Sequence, residues 1–272
     1  MLVSAAVLMA GGMAAGSLGA LLGIGGGILI VPLLTLGFHY PLGVAVGTSL
    51  ICVIATSSGA AAHYVRTGQA DVRLGITLEV ATALGGVAGG LLAGILLDEV
   101  IAGLFAALMY YTAWTLVRAR APDGDVGVVV DAAAASDRPA PAYRTRRLPA
   151  AMAASFVAGN VSALLGVGGG VVKVPIIHLL MEAPMPVAVA TSNFIIGVTA
   201  SAGAVFYVFR GEVDPTVAGP VVLGVFGGAF IGSRVASRFR PTWLRVIFVV
   251  VLLYVGIQMT LRAVAPLGIG AA

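Results

Sequence analysis

The sequence predicts an all-α integral membrane protein of two inverted repeats, each a glycine-broken, re-entrant helix followed by three transmembrane helices. Three observations carry that prediction. The 272 residues are 60% hydrophobic and 10% charged, with mean hydropathy +1.07, whereas an average soluble domain carries about 25% charged residues. Most of the length falls into unbroken apolar runs of about 20 residues, the length of one helical bilayer crossing and unlike the alternating segments of a barrel. Finally, one unit is written twice. Adding 143 to a position moves Gly16 to Gly159, Gly23 to Gly166, Gly25 to Gly27 onto Gly168 to Gly170, Pro32 to Pro175 and Pro41 to Pro184. The match continues without a gap through Thr56 and Thr199, Ser58 and Ser201, Tyr64 and Tyr207, Gly68 and Gly211, and Asp71 and Asp214.

The first element is "LLGIGGGILIVPLL", Leu21 to Leu34, where four glycines and a proline interrupt an apolar stretch. The residues before it lack Lys and Arg, so they read as part of the fold and not as a cleaved signal peptide. Leu2 to Leu22 alone is long enough to cross. Three unbroken spans follow: Pro41 to Val65, Leu74 to Leu97 and Val100 to Val117. Residues 120–147 are polar, Arg-rich and Pro-containing, and read as a linker between a first membrane repeat, 1–119, and a second, 148–272. The second repeat opens on "LLGVGGGVVKVPII", Leu164 to Ile177, and continues through Pro184 to Phe209, Pro215 to Ser237 and Trp243 to Leu261.

Arginine placement selects the inverted arrangement. Lys and Arg in short loops concentrate on the cytoplasmic side, and the linker and its edges carry Arg118, Arg120, Arg138, Arg144, Arg146 and Arg147. If the broken segments are re-entrant, 12 arginines share the linker's side and only Arg210 and Arg262 oppose them; if they cross, the balance is 10 against 4. The net charge of +4 is accounted for by these topology signals, which leaves no case for nucleic-acid binding. Cys52 is the single cysteine, so no intramolecular disulfide forms.

Irregular backbone at membrane depth exposes N–H and C=O groups that lipid cannot satisfy, so it belongs around buried protein or a water-filled cavity. Glycine permits positive φ and close approach, and the helix that resumes at Ile28 or Val171 starts with unpaired N–H groups that attract an anion. Secondary transporters build midplane sites from such interrupted helices. The competing reading is close helix packing through small residues, which serves for most of the 38 glycines.

The paired GxGGGxxxVP followed by "VAVGTS" (Val44 to Ser49) or "VAVATS" (Val187 to Ser192) resembles the sulfite exporter TauE/SafE family of bacterial membrane transporters, over essentially the whole chain except the linker. The resemblance implies movement of sulfur-containing anions, such as sulfite, sulfonates or sulfoacetate, across the cytoplasmic (inner) membrane, usually as export.

Candidate substrate-binding residues follow from position. Gly25, Gly26, Gly27, Gly168, Gly169 and Gly170 form the two breaks. Lys173 stands where the first repeat has Ile30, and an intramembrane lysine is by default a functional candidate. It supplies a full positive charge for a sulfonate or sulfite oxygen; the alternatives are that it snorkels to an interface or pairs with Glu182. Thr48, Ser49, Thr191, Ser192 and Asn193 adjoin the breaks and can donate to anion oxygens, or can simply bond their own helix carbonyls. Glu79 is the deepest carboxylate and the candidate for proton coupling. His39, His63, His178 and Glu182 lie near predicted helix ends and read either as proton relays or as interfacial polar residues.

No catalytic residue, metal or cofactor is expected. Ser57, Ser58 and His63 share a helix but lack a second acid–base partner or an oxyanion motif. An anion channel of the same architecture, or a carrier of a non-sulfur carboxylate, remains the alternative to a sulfur-anion carrier. The expected partners are a small anionic substrate, the lipid bilayer, protons as a candidate coupling ion and a second copy of the chain as a candidate homodimer, with no nucleic acid.

Overall fold

The computed structural model describes residues 2–22, 27–66, 68, 70–118, 147–235 and 241–264, and these form ten α-helices with no strand among them. In order they are α1 (Leu2–Leu22), α2 (Gly27–Pro32), α3 (Leu42–Arg66), α4 (Val72–Ala93), α5 (Asp98–Arg118), α6 (Leu148–Leu165), α7 (Gly170–Pro175), α8 (Met185–Phe209), α9 (Pro215–Val235) and α10 (Pro241–Val264). The six unbroken spans read from the sequence are α3, α4, α5, α8, α9 and α10. The linker falls outside the described residues apart from Arg147.

By length and composition α4, α5, α6 and the Val187–Phe209 part of α8 can each cross a membrane; shorter apolar helical stretches include Ala5–Leu18, Leu42–Ser58, Pro215–Ile231 and Phe248–Val264. Their outer faces are apolar. Ile76, Val80, Leu84, Val87 and Leu91 project outward from α4, and Val246, Val250, Leu253, Ile257 and Leu261 from α10, at the three-to-four-residue spacing of a single helix face.

Local chemistry explains the element ends. Asp71 Oδ1 accepts the Leu74 N–H at 2.9 Å and starts α4, while Asp214 Oδ1 accepts the Thr216 N–H at 2.8 Å and starts α9. A short helix after each break ends at a proline, Pro32 or Pro175, and passes directly into a π-helical turn, Leu33–Gly37 or Ile176–Leu180. Proline lacks an N–H and its ring crowds the carbonyl four residues back, so a wider turn is a local way to continue.

Backbone conformation repeats with the sequence. Moved by 143 positions, α2, the first π-helical turn and α3 coincide residue for residue with α7, the second turn and α8. The left-handed residues His39 (φ 57°) and Gly68 (φ 66°) correspond in the same way to Glu182 (φ 56°) and Gly211 (φ 71°).

Corresponding helices pack in opposite directions. Along α3 and α8, Gly47 approaches Tyr207, Leu50 approaches Gly203 and Ser57 approaches Gly197, so position rises on one helix as it falls on the other. Between α5 and α10, Gly103 meets Ala263 and Tyr110 meets Gly256, again in reverse order. The first helix of each half instead runs alongside a helix of the other half. Gly12 and Gly16 of α1 rest on Val221 and Val225 of α9, and Gly85 and Gly89 of α4 rest on Phe156 and Asn160 of α6. A Cβ at any of these four glycines would collide with partner backbone, which is the packing role of small residues in membrane bundles.

Candidate functional site

The second glycine break is a tight turn built from left-handed residues. Gly166, Gly168 and Gly169 have φ of 68°, 79° and 76°, values at which a side chain is strained. Gly166 ends α6, and the Gly169 carbonyl accepts the N–H groups of Val172 and Lys173 to start α7. Gly168 sits between Val53 of α3 and Ile196 of α8, near the middle of both helices. In the first half Gly25 and Gly26 lie outside the described residues.

The two breaks meet. The Ser49 hydroxyl lies 2.6 Å from the Gly166 carbonyl and 3.1 Å from the Gly27 carbonyl, so its one proton is shared between the two interrupted segments. A Cβ on Gly27 would stand 2.8 Å from that same Gly166 oxygen. Here the glycine is required by close approach of two backbones.

Lys173 follows within one turn and is 1% exposed. Its ammonium donates to Thr199 Oγ1 at 2.5 Å, and Thr199 donates in turn to Glu79 Oε1 at 2.7 Å. Glu79 Oε2 accepts from Thr82 at 2.7 Å and stands 3.6 Å from Lys173 Nζ, an ion pair without a direct hydrogen bond. The expected alternative pairing with Glu182 is thereby corrected: Glu182 is exposed in the left-handed turn before α8, while Lys173 points inward to α4. A lysine and a carboxylate singled out for separate reasons are brought together by the packing of α7, α8 and α4.

The candidate hydroxyls divide into two kinds. Ser49 is committed to the two breaks, and Thr191 Oγ1 accepts the Asp71 N–H at 2.9 Å. Asn193 hydrogen-bonds with Tyr64. In contrast Thr48 and Ser192, the 143-residue counterparts of Thr191 and Ser49, are buried with no hydrogen-bond partner. Ser162 Oγ joins them, buried and unpartnered, 3.2 Å from where a Cβ on Gly169 would stand. Sequence reasoning missed Ser162, Thr82 and the bridging role of Thr199. The one available signal for Thr82 was its place three residues after Glu79 on the same helix face. Native structures leave few buried polar atoms unpaired, so these three hydroxyls, with Ser162 beside the second break, are spare hydrogen-bonding capacity inside the protein.

The other polar candidates lie apart from the Lys173–Glu79 pair where they are described. His178 Nδ1 lies 2.8 Å from the Ala183 carbonyl, and His39 is exposed in its left-handed turn. The His63 side chain is outside the described residues. Ser57 and Ser58 both donate to the Ile54 carbonyl of their own helix. Among the described residues no group of three His, Cys, Asp or Glu could hold a metal ion.

A buried cation–carboxylate pair beside glycine-interrupted helices is transporter-like architecture, and comparison with known proteins agrees. A family model described as "Sulfite exporter TauE/SafE" matches residues 8–259, which take in both breaks, Glu79 and Lys173. The chain belongs to the sulfite exporter TauE/SafE family. Among TauE/SafE-like relatives, "Probable membrane transporter protein YunE" of Bacillus subtilis is 29% identical over 94% of this chain and 97% of its own. A "Probable membrane transporter protein" of Methanocaldococcus jannaschii is 26% identical over 92% of this chain and 93% of its own. One of Xylella fastidiosa is 27% identical over 94% and 95%. Membrane transport is the activity these names carry, and none of them names an enzyme. No solved structure matches the chain.

Proposed function

We propose that this TauE/SafE protein is a secondary transporter that moves small sulfur-containing anions, such as sulfite and organosulfonates including sulfoacetate, across the cytoplasmic membrane, exporting them by alternating access. The observation that carries the reading is Lys173: a fully buried ammonium one turn from the glycine break, held by Thr199 and Glu79 near the middle of α8 and α4. A positive charge at that depth is costly and marks a substrate or ion pathway. In this reading the buried, unpartnered hydroxyls of Thr48, Ser162 and Ser192, the reorientable hydroxyls of Ser49 and Thr191, and the backbone N–H groups of Gly27 and of Gly168 to Gly170 are the uncharged donors that complement its charge; Gly25 and Gly26 belong to the same proposal by sequence position.

The reading also takes the two repeats, 1–119 and 148–272, to be inverted in the membrane and the linker to be cytoplasmic. Antiparallel packing of α3 on α8 and of α5 on α10 supports this, because a twofold relating membrane-spanning mates that run in opposite directions lies in the membrane plane. The test is counterflow of labelled sulfite and sulfonates in proteoliposomes, wild type beside Lys173→Ala. Saturable exchange that the variant loses is the expected result. Anion flux that neither saturates nor shows counterflow means a channel, and no flux overturns the transporter reading.

A further inference from the structure

Glu79 occupies the place that an incoming oxyanion needs. Its carboxylate lies where Lys173, Thr199 and Thr82 converge: one oxygen accepts from Thr199 at 2.7 Å, the other accepts from Thr82 at 2.7 Å and faces Lys173 Nζ at 3.6 Å. An ammonium and two hydroxyls gathered on two oxygens form a cradle for a small oxyanion, and here the protein's own side chain fills it. Of the helices packed on α4, α6 carries no ionisable side chain between Leu148 and Leu165. The ionisable group of α8 is Tyr207, whose hydroxyl donates to the Ala163 carbonyl. Lys173, from α7, is thus the charged group that faces Glu79 from these elements.

We infer that Glu79 is a resident counter-anion, displaced from Lys173 by a monovalent sulfur oxyanion as it takes up one proton. This rests on the anion-carrier reading and specifies its substrate class. Charge balance carries the argument. The empty site holds one positive and one negative group and is neutral. An added monoanion leaves an uncompensated buried charge, which is strongly disfavoured, unless a proton from bulk water neutralises Glu79. The protonated carboxyl then becomes a donor to the same anion. A dianion such as sulfate, or sulfoacetate with its carboxylate ionised, leaves a net negative charge even after that proton is bound, so within the proposed substrate class the site selects hydrogensulfite or a singly charged sulfonate over sulfate and doubly charged sulfoacetate. The empty carrier returns as a neutral ion pair with no accompanying ion. Transport is electroneutral, and export runs only down an anion gradient that outweighs an opposing pH gradient.

The test is calorimetric titration of the purified full-length protein with methanesulfonate, sulfite and sulfate in buffers of different ionisation enthalpy, which counts protons bound with the anion. The expected result is about one proton per methanesulfonate or hydrogensulfite in the wild type, as linkage requires, with sulfate binding at least tenfold weaker. Glu79→Gln keeps hydrogen bonds to Thr82 and Thr199, and its expected proton count falls to zero while methanesulfonate binds more tightly and independently of pH. Zero protons in the wild type, or an unchanged count in Glu79→Gln, overturns the inference while leaving the carrier reading intact. If Glu79→Gln does not fold, the wild-type count and the sulfate comparison decide alone. Absence of binding by any of the three anions to wild type overturns the carrier reading, and this inference with it.

Discussion

The two halves place different side chains on matching backbone. Where the second half has Lys173, Thr199 and, from the first, Glu79, the positions displaced by 143 hold Ile30, Thr56 and Val222. Thr199 bridges a cation and a carboxylate, whereas Thr56 donates to the Cys52 carbonyl of its own helix. Ile30 is fully buried without any polar neighbour being required. The short helix after a break therefore folds and packs with no charge at all. A buried ion pair is on average no more stabilising than well-packed apolar residues of similar volume, so the Lys173–Glu79 pair between the halves is not accounted for by stability alone.

The largest test of that contrast is Lys173→Ile, which strands the Glu79 charge and should cost about 3–5 kcal/mol of stability. Ile30→Met on the matching position should cost less than about 1.5 kcal/mol. Lys173→Ile with Glu79→Val gives each position the residue of its counterpart in the other half, Ile30 and Val222. It should recover most of the lost stability while abolishing anion binding, read by denaturant melts and by titration with methanesulfonate. Retained anion binding in the double variant would remove the pair from the site.

The serines give the next contrast, because Ser49 is committed and its counterpart Ser192 is not. Ser49→Ala leaves the Gly166 carbonyl without that hydrogen bond and should cost about 1–3 kcal/mol, while Ser192→Ala should fall within about 0.5 kcal/mol. For the threonines the halves exchange roles. Thr191→Ala loses the bond to the Asp71 N–H, about 1 kcal/mol, and Thr48→Ala loses none. If Ser192→Ala and Thr48→Ala weaken anion affinity at unchanged stability, the spare hydroxyls line the site.

The smallest effect is at the surface. The Thr216 hydroxyl and N–H hold the Asp214 carboxyl below the usual carboxylate range. A depressed value means a contribution present at neutral pH and lost as pH falls through the folded value. The stability advantage of wild type over Asp214→Asn should therefore shrink below about pH 4, measured by melts across that range.

Helix positions were legible in the sequence because apolar run length and a 143-residue repeat both report them: α3 differs from its predicted span by one residue at each end, whereas α4 starts two residues before and ends four residues before the span Leu74 to Leu97. The contact between Lys173 and Glu79 was not legible. It depends on how α7 of one half meets α4 of the other, and nothing in local pattern reports contacts between halves. The fates of Ser49 and Ser192 were hidden for a related reason: identical residues at equivalent positions diverge through the neighbours they meet. The π-helical turns had a signal in Pro32 and Pro175, since a proline inside an apolar helix must disturb the turn around it.

The exchange of first helices, α1 onto α9 and α6 onto α4, makes the molecule a swapped pair joined into one chain. During synthesis α1 must wait through the making of α2 to α8 for its partner α9, so its native contacts are among the most distant in this sequence, the kind that slows folding. Until then the glycine face of α1 lies unpaired in the bilayer. Neither half can complete its own packing, and two separately translated halves carry all the surfaces needed to find each other.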